Sequence, residues 1–299
     1  MRYRRTVTMV ICVMLAAVIL TLGCVSPAEQ QLVKGNSFRD LEQWDEAIAA
    51  YSKAIELDPN LAIAYAGRGF AYYSKDDYDN VIADYTKVIE LDPTKSLSYG
   101  IRGKAYYSKD DYDKAIADFT KAIAIDPKYA DAYYWRGDAY DKKGDYDKAI
   151  ADFTKTIEID PNLEAVYVSR GITYNFIKRD FDKAIADFTK AIDLDPPNDF
   201  AYELRCTAYI MKGDYDKAIA DLTKTIELDP ESGHAYQARG YAYNKKGDYD
   251  KAIADLTKAI EINPEYAVAY QYRGDAYDKK GEKDKAEADW AKAKELGVK

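Results

Sequence analysis

Histidine and cysteine are scarce in this chain. Its 299 residues include one histidine, His234, and three cysteines, Cys12, Cys24 and Cys206. No two cysteines form a Cys-x-x-Cys pair, so the sequence supports neither a disulfide-stapled scaffold nor a zinc site. A lone histidine at the start of a predicted helix is typical of a surface residue. We therefore predict no metal site and no cofactor.

Basic side chains are also outnumbered by acidic ones. The formal net charge is -9 at pH 7, from 52 acidic and 43 basic side chains. Proteins that bind nucleic acid gain affinity by neutralising phosphates with lysine and arginine. The acidic balance therefore argues against a nucleic-acid partner.

The N-terminal residues differ in composition from the rest of the chain. Arg2, Arg4 and Arg5 precede an uncharged, apolar stretch from Thr6 to Val25. A positive segment followed by an apolar one is typical of an export signal, and about 20 apolar residues are also enough to span a bilayer. The run Leu20-Thr21-Leu22-Gly23-Cys24 resembles the prokaryotic lipobox, in which the cysteine is lipidated and becomes the mature N-terminus.

We predict that residues 1–23 are a signal peptide or membrane anchor, that Cys24 is the lipidation site, and that residues 24–27 form a short tether. An uncleaved anchor and simple secretion stay open as alternatives. With lipidation or with an uncleaved anchor, the arginines stay on the cytoplasmic side. The remainder of the chain is then membrane-anchored outside the cytoplasm, in a prokaryotic cell envelope.

Beyond this segment, one sequence motif repeats along the chain. Each copy contains two stretches with helical periodicity, separated by a polar turn such as Lys143-Gly144-Asp145, and each ends in a proline that cannot continue the helix. A fixed period near 34 residues indicates stacked units that are each too small to bury an apolar face alone. The closing prolines, 34 or 35 residues apart, are Pro59, Pro93, Pro127, Pro161, Pro196, Pro230 and Pro264.

The pattern resembles the tetratricopeptide repeat family, whose 34-residue units are helix-turn-helix hairpins. The family's small residue, where the two helices meet, corresponds to Gly35, Gly69, Gly103, Gly137, Gly171, Gly240 and Gly274. Cys206 takes the same place in the remaining unit, which predicts a packed thiol. The resemblance implies an all-α, right-handed α-solenoid of eight stacked hairpins. We place these units at residues 28–61, 62–95, 96–129, 130–163, 164–198, 199–232, 233–266 and 267–299.

Three columns of tyrosine and one pair of charged columns recur in nearly every unit. We predict that the tyrosines, such as Tyr65, Tyr72 and Tyr78, pack against neighbouring helices. Arginine on the first helix and aspartate on the second, as in Arg136 and Asp152, are absent together from the first unit, which has Lys34 and Ala50. This joint absence predicts an ion pair inside each hairpin.

In the family, the first helices line a concave groove that takes an extended peptide or a partner's helix. Carried over to this chain, the groove would contain an aromatic strip of Tyr73, Tyr107 and Tyr134 and an acidic patch of Asp131, Asp138 and Asp141. A partner with basic and apolar side chains follows as a hypothesis. The residues we assign to the groove are Phe70, Tyr73, Lys104, Tyr107, Tyr134, Asp138, Asp141, Ile172, Asn175, Tyr241, Asn244 and Asp275.

Two classes of function remain at this point. The first is a non-enzymatic, membrane-tethered scaffold that binds a protein or peptide in the groove. The second is a glycan or small-ligand binding protein that uses the tyrosine-rich groove. An enzyme is not predicted, because no position interrupts the repeat to supply a nucleophile with its base or a pair of catalytic acids. The extra residue near Phe176 is expected to lengthen a turn.

Overall fold

The computed structural model describes residues 25–196 and 199–298. The segment before residue 25, with Cys12 and the predicted lipidation site Cys24, lies outside them. The described residues form helices joined by short turns, without a β-strand, and they divide into two compact units with a boundary after Ile159. The all-α class expected from the period is confirmed.

Unit 1 contains four helical hairpins, and in each the first helix packs against the second. The second helix of one hairpin also packs against the first helix of the next, so the hairpins stack. Its helices are α1 (Pro27–Asp40), α2 (Trp44–Leu57), α3 (Ala62–Tyr73), α4 (Tyr78–Leu91), α5 (Ser96–Ser108), α6 (Tyr112–Ile125), α7 (Ala130–Lys142) and α8 (Tyr146–Ile159).

Unit 2 repeats this arrangement with four more hairpins. Its first helix continues as a π-helical segment, Thr173–Lys178, before the turn. The α-helices of unit 2 are α9 (Glu164–Ile172), α10 (Phe181–Leu194), α11 (Asp199–Lys212), α12 (Tyr215–Leu228), α13 (Gly233–Lys246), α14 (Tyr249–Ile262), α15 (Ala267–Lys279) and α16 (Lys283–Glu295).

The turn inside each hairpin follows the local sequence. The residue at the tight bend has a positive φ, which glycine adopts without strain, as at Gly247 with φ 84°. The next residue is often an aspartate whose side chain accepts a hydrogen bond from the third residue of the following helix, as Asp111 does from the backbone N–H of Lys114. This bond satisfies an amide that the helix cannot pair internally.

The glycine column allows the two helices of a hairpin to approach closely. A methyl group on Gly103 would lie 2.8 Å from the ring of Phe119, a buried residue of the second helix. Cys206 is buried in the equivalent place opposite Leu222, as the sequence predicts, and burial raises the pKa of its thiol. His234 is exposed, also as predicted.

The predicted arginine–aspartate pairs are present and nearly buried. In the fourth hairpin, Arg136 donates from Nε and Nη2 to the two carboxylate oxygens of Asp152 at 2.7 and 2.8 Å. The Nη1 group of Arg136 also donates to the hydroxyl of Thr120, on the second helix of the preceding hairpin, at 3.1 Å. We call this set of arginine, aspartate and hydroxyl the arginine clamp. The clamp therefore joins two neighbouring hairpins of the same unit, whereas sequence reasoning had found only the pair within one hairpin. The same contact across hairpins is made by Arg68, Arg102, Arg205, Arg239 and Arg273.

The tyrosine columns pack as predicted, although only some of their surface is covered. Tyr99 and Tyr167 are buried, and the other members are half-buried against the core. Cations cover the remaining ring faces in many hairpins: the guanidinium of Arg136 lies 5.5 Å from the ring of Tyr133, and Lys148 Nζ lies 5.0 Å from the ring of Tyr140. These columns serve the scaffold, so binding has to depend on residues that vary between hairpins.

Candidate functional site

The first helices of neighbouring hairpins contact one another directly in both units: α1 with α3 and α5 with α7 in unit 1, and α13 with α15 in unit 2. We call the surface that these first helices present the inner face. Most residues that sequence analysis assigned to a groove lie on it, and the structure separates them into distinct clusters.

Unit 1 exposes large apolar side chains on its inner face. Ile63 and Phe70, seven residues apart on α3, are 58% and 45% exposed, and Leu97 on α5 is 59% exposed. The ring of Phe70 meets Trp44 edge-on at 6.1 Å. Tyr73 is half-buried and packs edge-on against Tyr78 at 5.8 Å. These apolar side chains are available for contact with a partner.

An aromatic cluster lies between α5 and α7, with Trp135 at its centre. The ring of Trp135 is 5.2 Å from Tyr107 and 5.4 Å from Tyr134, in edge-to-face geometry with each. Tyr107 also meets Tyr112 edge-on at 5.4 Å. Edge-to-face pairs of this kind add to the stabilisation from burial alone. The predicted strip of tyrosines is thus a packed cluster around a tryptophan that sequence analysis had not included.

The charged groups around this cluster are paired within the chain. Lys104 Nζ lies 3.0 Å from Asp131 Oδ2 and 5.2 Å from the ring of Trp135. The hydroxyl of Tyr107 donates a hydrogen bond to Asp138. Burial and this carboxylate raise the pKa of Tyr107. Two acids of the expected acidic patch are therefore engaged, and the surface offers a partner more apolar contact than free negative charge.

Asp141, the third acid of the expected patch, is half-buried near the end of α7. The structure thus brings together four of the predicted groove residues, which are Lys104, Tyr107, Tyr134 and Asp138.

A pocket opens in unit 2 between α13 and α15. Its cavity volume is about 280 Å³, and it is open to solvent on one side. The rings of Tyr241 and Tyr272 lie 4.9 Å apart. Asn244 donates from Nδ2 to the backbone carbonyl of Tyr272 at 2.7 Å, while its buried Oδ1 has no hydrogen-bond partner in the described part of the chain. The lining also includes Lys245, Tyr249, Asp275, Asp278 and Lys279.

Asn175 belongs to neither cluster and lies in the π-helical segment of unit 2. The extra residue in this hairpin is absorbed by that segment and not by the turn, which corrects the expectation from sequence. Asp180 still caps the next helix, so the turn keeps its usual form. Asn175 is 2% exposed, and neither polar atom of its amide has a partner among residues 25–196 and 199–298. π-Helical insertions of this kind are frequent at functional sites.

Sequence analysis missed Trp135 and Tyr272, the central aromatic residues of the two clusters. They occupy equivalent places on first helices, and the residues at this place vary strongly between hairpins. The variation was a usable signal, since scaffold positions in this chain repeat. The full set at this place is Val33, Gly67, Ile101, Trp135, Ser169, Leu204, Ala238 and Tyr272.

Two further findings concern membrane-spanning helices and metal-binding groups among the described residues. None of the helices within 25–196 and 199–298 is long and apolar enough to cross a membrane. In that same part of the chain, no group of histidine, cysteine, aspartate or glutamate is arranged to hold a metal ion.

The stacked helical hairpins define a helical-repeat protein, and comparison with known families gives the type of repeat. Models described as tetratricopeptide repeat or TPR repeat match residues 35–76, 62–95, 103–144, 130–163, 165–198, 202–232, 234–266 and 256–288. The chain belongs to the tetratricopeptide repeat family, a family of all-α solenoids that act as protein-interaction scaffolds.

Solved structures agree with this assignment. MamA is 35% identical to this chain, with a TM-score of 0.53 over 54% of this chain and 94% of MamA. YrrB, described as a TPR protein with an unusual peptide-binding site, is 25% identical, with a TM-score of 0.58 over 62% of this chain and 95% of YrrB.

The C-terminal part of a TPR repeat-containing protein from Cytophaga hutchinsonii has a TM-score of 0.70 over 80% of this chain and 97% of its own, at 23% identity. This likeness concerns the fold alone. A comparison with proteins of curated function finds no match.

Proposed function

We propose that this protein is a non-enzymatic scaffold that binds a peptide segment of a protein partner on its inner face. The observation that carries the proposal is the exposure of Ile63, Phe70 and Leu97 on the first helices of unit 1, the unit that also contains the cluster around Trp135. Binding of a partner over such a patch is favourable, because apolar area is removed from water. The peptide-binding site described for YrrB gives a precedent within the family.

The rigidity of the neighbouring cluster favours a preformed site. Tyr107 and Lys104 are held by Asp138 and Asp131, so a partner would meet side chains that are already ordered. Binding to ordered side chains costs less conformational entropy than binding to mobile ones. The partner segment should carry apolar or aromatic side chains, because the nearby acids are largely paired.

The test uses the full-length chain as bait for proteins of the cell envelope. An inner-face variant carries Ile63→Ser, Phe70→Ser and Leu97→Ser. A matched control carries Leu57→Ser and Leu228→Ser, which change exposed leucines on second helices instead. Circular dichroism first confirms that both variants keep the helical content of the parent.

A partner that binds the parent and the control but not the inner-face variant supports the proposal, once cross-linking from position 70 maps to an apolar segment of that partner. Equal capture by all three baits would move the site away from this surface. If no protein is captured and soluble oligosaccharides protect Trp135, the glycan-binding alternative replaces the scaffold.

We also propose that the array is tethered to a membrane through lipid on Cys24. The support is the lipobox-like run ending at Cys24 and the start of α1 at Pro27, three residues later. Ser26 and Glu29 form a capping box at that start, which favours helix from the first residues after the tether. Tethering would raise the local concentration of inner-face sites at the membrane.

Mass spectrometry of the N-terminus separates the alternatives. Lipidation requires loss of residues 1–23 and added acyl mass on Cys24, and Cys24→Ser should then release the array from the membrane fraction. An intact N-terminus in that fraction would indicate an uncleaved anchor, and an unmodified, cleaved chain outside it would indicate simple secretion.

A further inference from the structure

The pocket in unit 2 and the aromatic cluster in unit 1 occupy the same place in the repeat. Each residue around Tyr107 has a counterpart 137 positions later in the chain. The two sites can therefore be compared residue by residue, and the chain itself provides the reference. The matching pairs are Lys104 with Tyr241, Tyr107 with Asn244, Tyr112 with Tyr249, Trp135 with Tyr272, and Asp138 with Asp275.

In unit 1, Tyr107 fills the space between the helices. Its ring packs edge-on against Tyr112 at 5.4 Å and against Trp135 at 5.2 Å. Its hydroxyl donates to Asp138, which is half-buried. Two aromatic rings and one carboxylate thus form a receptor for a phenol side chain, and the protein supplies that side chain itself.

In unit 2, the second-helix tyrosine and the aspartate are kept, a tyrosine replaces the tryptophan, and the filling side chain is smaller. Tyr249, Tyr272 and Asp275 stand where Tyr112, Trp135 and Asp138 stand in unit 1, and Asn244 replaces the tyrosine. The pocket, with a cavity volume of about 280 Å³, opens at this place.

The polar groups of the pocket also lack the partner that a phenol would provide. Asp275 is exposed, and its Oδ1 accepts a hydrogen bond from Trp290 Nε1 at 3.0 Å. Its second oxygen, Oδ2, has no partner within the described residues, whereas the corresponding aspartate in unit 1 receives a hydroxyl. The buried Oδ1 of Asn244 is a second acceptor without a donor in that part of the chain.

We propose that this pocket accepts a tyrosine side chain from the partner, with its ring against Tyr249 and Tyr272 and its hydroxyl donating to Asp275. The proposal rests on the proposed function, since it specifies one side chain of the bound peptide. Charge supports a neutral side chain: Lys245 and Lys279 disfavour a cation in the pocket, and Asp275 and Asp278 disfavour an anion.

The experiment titrates the full-length protein with N-acetyl-tyrosinamide and follows backbone amide signals of α13 and α15 by NMR. A ligand this small is expected to bind in the millimolar range. N-acetyl-phenylalaninamide lacks only the hydroxyl and should bind about tenfold more weakly or worse, because a hydrogen bond to a charged group is lost. The O-phosphorylated tyrosinamide should also bind more weakly, since it has lost the donor and brings negative charge to Asp275.

Two variants test whether the probe binds at the proposed position. Asn244→Tyr should abolish the signal changes in α13 and α15, because the new ring fills the pocket as Tyr107 does in unit 1. Tyr107→Asn should create a second site for the same probe between α5 and α7, which provides an independent gain of binding. Circular dichroism and thermal melting confirm that each variant is folded.

No binding of N-acetyl-tyrosinamide to the parent protein would overturn the proposal, and so would unchanged binding by Asn244→Tyr. Equal binding of the phenylalanine probe would overturn the role of Asp275. These probe measurements need no captured partner, so their failure is distinct from failure of the inner-face pull-down.

Discussion

Removing only the aspartate of an arginine clamp should destabilise the hairpin more than replacing both the arginine and the aspartate by apolar residues. In the clamp of the fourth hairpin, the side chains of Arg136 and Asp152 are only 16% and 9% exposed. Asp152→Ala removes two hydrogen bonds and leaves the guanidinium with Thr120 as its hydrogen-bond partner in the clamp. Loss of one member of a buried pair costs about 3–5 kcal/mol. Because the bond to Thr120 remains and water has partial access, we expect a loss of about 3 kcal/mol in the free energy of opening.

The double variant Arg136→Met with Asp152→Leu removes both charges and keeps apolar volume. Replacement of a buried ion pair by apolar side chains is often neutral or stabilising, so we expect a loss below about 1 kcal/mol. A control on the same helix, Glu158→Ala, removes an exposed ion pair with Lys155 and should cost about 0.5 kcal/mol or less.

Hydrogen exchange measured by mass spectrometry is the appropriate assay, because repeat arrays open locally and a single unfolding transition is not assured. A loss of about 3 kcal/mol should speed exchange of the most protected amides of α7 and α8 about a hundredfold. The reasoning is refuted if Asp152→Ala and the double variant accelerate exchange equally, since the uncompensated charge would then have no separate cost.

Three other predictions follow from the packing. Gly137→Ala should lower the free energy of opening of α7 and α8 by about 1–3 kcal/mol in hydrogen exchange, since its Cβ would lie 2.9 Å from the Phe153 ring, and by less in a Phe153→Leu background. Thr120→Val should cost about 1 kcal/mol and speed exchange in α7, because Arg136 loses its bond to the preceding hairpin; unchanged exchange would argue against that role. Burial raises the pKa of Tyr85 to about 12, above the value near 10 of an unfolded tyrosine. The unfolded chain therefore loses this proton first, so stability from the neutral phenol is present below about pH 10 and is lost as pH rises towards about 12. Tyr85→Phe should flatten this part of the stability curve, and an unaltered curve would contradict the assignment.

The scaffold was predictable because its positions repeat. A residue that returns every 34 or 35 positions, such as the arginine represented by Arg136, has the same neighbours in each hairpin. The joint absence of arginine and aspartate from the first hairpin was enough to predict their contact. The hydroxyl of Thr120 was missed because it belongs to the preceding hairpin, and pairing across hairpins depends on how the hairpins stack.

The binding surface was harder to predict for the opposite reason. Its residues vary, so one sequence provides no repeated pattern that tells contact from solvation. Trp135 and Tyr107 meet only because α5 and α7 lie side by side, which depends on helix rotation in three dimensions. The π-helical segment could not be predicted either, because an extra residue near Phe176 is compatible with a longer turn as well as with a widened helix.

The distribution of the arginine clamp has a consequence for how the array can change in length. The first hairpin has Lys34 and Ala50 in place of arginine and aspartate, and the final hairpin of the chain has Ala291 where others have a hydroxyl. Every hairpin between them carries all three groups. Duplicating or deleting one interior block of 34 residues would therefore keep arginine, aspartate and hydroxyl in matching positions. Loss of the first hairpin would instead remove the Ser52 hydroxyl from Arg68, and loss of the eighth would remove Arg273 from the Thr257 hydroxyl. The six hairpins between the first and the eighth are thus interchangeable at the clamp positions.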